Sequence, residues 1–229
     1  MSDLKEELRS AVLGFGADIC GFAGIERFSE APKGFHPYDI FPDCKSAIAF
    51  GVALPKGLYH ADSRLIYSHF NYFTNPKVDT IAYQTAAFIE KTSHKIGVPI
   101  PCDTPYDYWS EANMEGRGLL SMKHVAYLCG IGRLGKNTLL LNRDFGNRLI
   151  IGCVLTNLAI ESDDLAADVC LENCNLCVQS CSVQAISEGS VRQKSCRTNA
   201  YGKTQRGFDI VECNRCRTVC PMRFGAGYL

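Results

Sequence analysis

The sequence predicts an α+β protein: an N-terminal α/β sandwich over residues 1–160, followed by a small cysteine-bound module over residues 161–229. Three observations carry that reading. Apolar residues recur at helical spacing in some stretches and form short runs rich in Ile, Val and Phe in others. The cysteines are unevenly divided, with Cys20, Cys44, Cys102, Cys129 and Cys153 scattered and the rest gathered between Cys170 and Cys220. An acidic stretch with Glu161, Asp163, Asp164 and Asp168 lies between the two parts, as an exposed connection would.

The elements follow in order. Leu4, Leu8, Ala11, Val12 and Phe15 share one helical face, and Gly14 and Gly16 end that helix. DICGFAGI from Asp18 and SAIAFGVAL from Ser46 are apolar runs of strand length. Pro76 to Ile96 is a predicted helix, entered at the proline and stopped by Gly97. SMKHVAYLC, from Ser121, reads as a further helix. TLLLNRDFGNRLIIGCVL, from Thr138, is two apolar runs around a polar turn with Gly146, a hairpin pattern.

Composition limits the function classes. Of the 229 residues, 46% are hydrophobic and 21% charged, which is enough apolar material for a sizeable core. Formal net charge is zero, so no whole-molecule field draws the chain to nucleic acid or to an anionic membrane. The start, MSDLKEELRS, has no apolar signal core, and no apolar run reaches the ~18 residues of a membrane span. The expectation is a cytoplasmic protein without membrane contact. Thirteen cysteines in a reducing compartment then need a reason other than disulfides.

Their spacing supplies one. CLENCNLCVQSC places Cys170, Cys174, Cys177 and Cys181 in one run, and its second half has the C-x-x-C-x-x-x-C spacing of a bacterial ferredoxin. CNRCRTVCP repeats that spacing with Cys213, Cys216 and Cys220 and adds the closing proline, Pro221. Cys196 lies between the runs. Eight thiolates are the number two cubic [4Fe-4S] clusters need, and a two-cluster ferredoxin-like module is the predicted fold of this part. A zinc site built from Cys174, Cys177, Cys213 and Cys216 would leave Cys170, Cys181, Cys196 and Cys220 unused. Arg192, Lys194, Arg197, Lys203, Arg206, Arg215, Arg217 and Arg223, against only Asp209 and Glu212, suit the negative charge of thiolate-ligated clusters.

GIGRLGKN, residues 130–137, nearly satisfies two nucleotide fingerprints. Gly130, Gly132 and Gly135 fit a dinucleotide loop, but a helix precedes them and a strand-like run follows, the reverse of the order that loop requires. Gly130, Gly135 and Lys136 fit a phosphate loop up to Asn137, which replaces the metal-binding hydroxyl.

The run CGIGRLGKNTLLLNRDFGNRLIIGCVLTNLAI, followed by the two cysteine runs, resembles the epoxyqueuosine reductases and, more distantly, the corrinoid reductive dehalogenases. The resemblance is strong from about Met122 to Pro221. It implies a fold with a cobalamin-binding domain and two [4Fe-4S] clusters that pass single electrons to the corrinoid. It implies Cys170, Cys174, Cys177 and Cys220 as ligands of one cluster, and Cys181, Cys196, Cys213 and Cys216 as ligands of the other. Cys170 departs from the family spacing by one residue. Gly130, Gly132, Gly135, Lys136 and Asn137 are implied to lie beside cobalamin. Asp103, in the wording CDTP, is the implied proton donor, with Tyr106, Tyr108 and Glu111 nearby. A low-potential ferredoxin- or flavodoxin-type donor is the implied electron source.

The chain ends soon after Cys220, where longer family members carry a tRNA-contacting extension. With its zero net charge, that gives the expectation of a small-molecule or corrinoid substrate, with tRNA unlikely. A ferredoxin-like carrier or activase without cobalamin is the alternative.

Overall fold

The computed structural model describes residues 2–187 and 189–228. Its centre is a four-stranded antiparallel sheet in the order Ile19–Gly24, Ser46–Ala53, Leu149–Thr156, Gly97–Ile100. Ser46 pairs with Thr156 and Ala53 with Leu149, so the two long strands match over their full length. Alternation sorts their side chains onto two faces. Ala47, Ala49, Ile151, Cys153 and Leu155 enter one core, with Val125, Ala126 and Cys129 of the helix Met122–Leu128 and its end. Ile48, Phe50, Val52 and Val154 enter the other, against Leu8 and Val12 of the helix Ser2–Gly14 and Val78, Ile81, Ala82 and Ile89 of the helix Arg64–Ser93. Each fully buried Leu, Ile, Val or Phe contributes about 1.5–3 kcal/mol of transfer free energy, and both faces are filled. Gly152 permits this close approach, since a Cβ there would sit 2.4 Å from the Phe50 ring and 2.6 Å from Val78.

Two elements differ from their sequence-based expectation. The long helix starts at Arg64, twelve residues before Pro76, which lies inside it. Its first turns are held by the far end of the chain: Val211 donates its backbone N–H to Ser68 Oγ at 2.9 Å, and Tyr67 packs with Leu54, Leu58 and Val211. Long-range partners therefore sustain a helix that Pro76 alone would begin or kink. The second difference is the apparent hairpin after Thr138. Its turn exists, with Asn142 and Gly146 bridged, but the flanking runs do not pair with each other. Leu140–Leu141 pairs backward with Arg133–Leu134, whereas Leu149–Thr156 enters the central sheet. The strand Gly97–Ile100, which no pattern singled out, closes that sheet.

The acidic stretch is more than an exposed connection. Asp163 runs along the edge strand, donating its N–H to Phe22 O and accepting the Phe22 N–H on its carboxylate. Lys5 and Arg9 pair with it at 2.7 and 3.0 Å. Beyond it lie two short helices, Leu176–Gln179 and Arg215–Thr218, the helix Gln193–Ala200, and two strand pairs, Ile186–Ser187 with Ser190–Val191 and Tyr201–Lys203 with Asp209–Val211. The chain then returns to the turn at Gly146, which has a φ of 62° and where a Cβ would lie 2.3 Å from the Arg223 carbonyl, so no side chain fits.

Candidate functional site

The eight clustered cysteines gather into two sets. Cys170, Cys174, Cys177 and Cys220 line one cavity of about 350 Å³ of empty space, with Leu141, Leu171 and Met222 as its apolar wall. Cys196 lies within electrostatic reach of Cys181 and Cys213, and Cys216 within reach of Cys196 and Cys213. The runs are built alike. Asn175 and Asn214, each just after a cysteine, have φ/ψ of −123°/18° and −128°/23° and open the two short helices. Burial pushes the Cys220 thiol up to about 11, with Cys177, Cys170 and Cys174 adding to it against a backbone hydrogen bond at Met222. Burial likewise pushes Cys216 up to about 11, opposed by Arg217 and reinforced by Cys196, Cys213 and Cys177. Thiols crowded in this way favour a multinuclear metal centre that displaces their protons to solvent and balances the thiolate charge. This donor set fits iron–sulfur clusters. Among the described residues no three His, Cys, Asp or Glu side chains converge on a single metal ion.

The scattered cysteines are different in kind. Cys129 and Cys153 are fully buried in the sheet cores, and burial holds both thiols well above their ordinary range. They are packing residues.

The glycine segment makes its contacts within the protein. A Cβ at Gly130, whose φ is 75°, would meet Asp164 O at 2.2 Å, and one at Gly132 would meet Leu141 O at 2.4 Å. Gly135 packs on the Leu141 side chain. These glycines let three chain segments close on one another. Lys136 then reaches the first cysteine turn, where its ammonium donates to Glu172 O, to Cys174 O at 3.2 Å and to Asn175 Oδ1 at 3.4 Å. Asn137, buried, donates from Nδ2 to Cys216 O at 3.2 Å in the second turn and accepts the Leu139 N–H. Lys136 and Asn137 thus brace the two cysteine turns.

Asp103 lines a separate cleft of about 790 Å³ of empty space. Its walls include Asn71 and Asn75 of the long helix, Met122 and Lys123, Leu139, the strand around Ile150, and Arg217. Asn75 Nδ2 and the Tyr106 hydroxyl donate to the two Asp103 oxygens at 3.3 and 3.2 Å. Lys123 is half-buried, and burial together with the Arg217 charge lowers its pKa. Arg217, next to Cys216, donates to Asn147 O, and Asn147 returns a 3.0 Å bond to Arg217 O. The cleft therefore lies directly against the second cysteine turn. Sequence reasoning missed Arg64, Lys123 and Asn147. Arg64 caps the second turn, donating to Asn214 Oδ1. The repeated Cys-Asn dipeptide was the available signal.

No family model matches the chain. Curated relatives do. The epoxyqueuosine reductase of Listeria monocytogenes is 33% identical over 124 residues, covering 49% of this chain and 32% of that protein. The enzyme of Staphylococcus aureus is 24% identical over 265 residues, covering 97% of this chain and 65% of its own length. Among solved structures, an epoxyqueuosine reductase with an epoxyqueuosine-modified tRNA-Tyr stem loop superimposes with a TM-score of 0.69 at 22% identity, over 97% of this chain and 66% of the other. A reductive dehalogenase, described in terms of B12-dependent dehalogenation, gives 0.69 at 16% identity over 94% of this chain and 31% of the other.

The fold sets the class: this is the mixed α/β architecture shared by epoxyqueuosine reductases and reductive dehalogenases. Within that class the chain is a homologue of the epoxyqueuosine reductases, as its glycine and cysteine runs imply. It spans no more than about two thirds of the length of these relatives.

One expectation is overturned. A small-molecule or corrinoid substrate, with tRNA set aside, does not agree with relatives named for epoxyqueuosine or with a superimposed structure that holds a tRNA stem loop. The carrier without cobalamin has no support among them either. Zero net charge misled because it averages over the whole chain, whereas the stretch from Arg192 to Arg223 is strongly basic. No helix among the described residues is long and apolar enough to cross a membrane.

Proposed function

We propose that the chain is an oxidoreductase that removes the epoxide oxygen of epoxyqueuosine in a tRNA loop, using two [4Fe-4S] clusters and a cobalamin. The observation that carries this is the juxtaposition of two four-cysteine sets with a carboxylate-bearing cleft, in a fold shared with epoxyqueuosine reductases. Cys170, Cys174, Cys177 and Cys220 hold the first cluster, and Cys181, Cys196, Cys213 and Cys216 the second, in a ferredoxin-like module that follows the α/β sandwich. Cobalamin, when bound in the cleft, supplies the reducing chemistry at carbon.

Loss of the epoxide oxygen as water consumes two electrons, delivered through the two clusters from an external low-potential donor, and two protons, one from Asp103 and one from solvent. Asp103 is the group placed to protonate the departing oxygen. It lines the cleft, and Asn75 and Tyr106 each donate to one of its carboxyl oxygens and hold it there. Lys123 adds a positive charge that stabilises developing negative charge on that oxygen. Arg217 and Asn147, bonded to each other, form the part of the cleft wall nearest the second cysteine turn.

The test is anaerobic reconstitution followed by iron and cobalt analysis and assay on an epoxyqueuosine-containing tRNA stem loop. About eight irons and one cobalt per chain are expected, with turnover. Asp103→Asn should keep both metals and lose about 10²–10⁴-fold in turnover. Wild-type turnover in Asp103→Asn would remove this residue from the mechanism, and a metal-replete protein inert on the stem loop would remove the function.

A further inference from the structure

Beside the cleft stands a group of aromatic rings that neither the cysteine sites nor the proton donor uses. Tyr106, which bonds Asp103, stacks on Trp109 with ring centroids 5.9 Å apart and planes 8° from parallel. The Arg197 guanidinium lies 5.4 Å from the Tyr106 ring and 5.2 Å from the Trp109 ring. Trp109 nevertheless remains 47% exposed, as does Tyr201. Tyr72 and Tyr201 border a neighbouring hollow and lie within electrostatic reach of Asp103 and Tyr106.

The arrangement is held rigidly. Trp109 sits on a small hairpin, Tyr108–Ser110 paired with Glu115–Arg117. That hairpin is tied to the helix Gln193–Ala200 by the Gly116 N–H on Gln193 Oε1 at 3.3 Å and by Thr198 Oγ1 on Met114 Sδ at 3.2 Å. The same helix carries Arg197 and Cys196.

A half-exposed indole backed by a parallel tyrosine and an arginine is a stacking surface for a third flat ring. Nucleobases satisfy that description whatever their sequence, and Arg197 with exposed Lys194 supplies positive charge for the accompanying phosphates. Glu115 is already paired with Arg117 at 2.7 Å, which lessens its repulsion of a phosphate chain.

We propose that Tyr106, Trp109 and Arg197 form a stacking platform for an unpaired nucleobase of the RNA loop, next to the base that enters the cleft. This rests on the tRNA-loop reading above and adds where the loop is gripped. The platform orients its neighbour toward Asp103 through the Tyr106 hydroxyl, so one residue serves both surfaces.

Trp109 is the chain's single tryptophan, so its emission reports this surface directly. A tRNA-Tyr anticodon stem loop added to the anaerobically purified, cobalamin-free full chain should quench that emission, whereas a fully paired duplex of the same stem should not. Trp109→Ala should weaken binding of the labelled stem loop roughly tenfold or more, Arg197→Gln should weaken it less, and Trp109→Phe should stay within about threefold. Iron content and circular dichroism establish that each variant is folded. Unchanged emission, with wild-type affinity in folded Trp109→Ala and Arg197→Gln, overturns the platform and leaves the tRNA reading standing. Absence of any stem-loop binding by the wild type overturns both. Quenching by cobalamin alone, with none by RNA, assigns these rings to the corrinoid and overturns the platform.

Discussion

The two cysteine turns, Cys174–Cys181 and Cys213–Cys220, share one spacing and nearly one set of backbone angles, yet the protein holds them differently. The first is gripped by Lys136, whose ammonium bonds two backbone carbonyls and Asn175, and faces an apolar wall of Leu141, Leu171 and Met222. The second is gripped by Arg64 through the buried Asn214, and borders an open polar hollow with Arg215 and Glu212. Asn137 spans both, lining the first cavity and bonding Cys216 of the second turn. A repeated local motif therefore sets the spacing of the thiols, while solvent access and nearby charge are left to non-repeated residues. Those are the quantities that tune cluster potential.

The strongest test removes one ligand from each turn. Cys177→Ser should cost about half of the bound iron and leave the other cluster's spectroscopic signal, with Cys216→Ser giving the reverse. Loss of all iron in both variants would mean that the turns assemble only as a unit, which would break the comparison.

Asn137→Ala comes next. It removes a buried amide with partners on both sides and should cost about 1–3 kcal/mol in denaturant unfolding, with iron released from both sites at similar rates.

Arg64→Met should act on the second turn alone. Asn214 Nδ2 already lacks a partner among the described residues, and losing Arg64 leaves the whole buried amide unsatisfied, at about 1–2 kcal/mol. Lys136→Met should act on the first turn alone and cost less, about 1 kcal/mol, because its ammonium is partly solvated. Redox titration followed by electron paramagnetic resonance distinguishes them: each variant should lower the midpoint potential of its own cluster and leave the other unmoved. Equal shifts of both clusters in either variant would erase the asymmetry.

The smallest expected effect on stability is at Lys123. The folded pKa of Lys123 is lowered, so at neutral pH the folded state pays for a buried charge that the unfolded state does not. That penalty is fully present below the folded pKa and vanishes as pH rises past the ordinary lysine value of 10.5. Lys123→Met should therefore raise the melting temperature at pH 7, with a gain that shrinks as pH rises through the lowered lysine pKa and is gone above the ordinary value of 10.5, while turnover falls. A melting temperature unchanged at pH 7 would show that Lys123 is already relieved by a partner.

Much of the scaffold was legible locally. The first helix and the strands around Phe22 and Phe50 declared themselves because one apolar face or one continuous apolar run is a property of a few adjacent residues. The helix start at Arg64 was not legible, because Ser68 and Tyr67 gain their partners from residues about 140 positions away. Nor was the pairing after Thr138. Two apolar runs around a glycine turn satisfy the hairpin pattern whether they bond each other or, as here, different strands. Asp103 was visible only through its wording. Its placement in a cleft with Lys123 and Arg217 depends on three segments meeting.

By itself the sequence determined the number and spacing of the cysteines and the periodicities of the flanking elements, because ligand spacing and amphipathicity are short-range properties. Only the tertiary structure decided which cysteines share a cavity, and that Lys136, Asn137 and Arg64 brace them. It also decided that the Gly130–Gly135 segment packs chain against chain. Those outcomes depend on close approach between distant segments, where a fraction of an ångström at Gly132 or Gly152 settles what can touch.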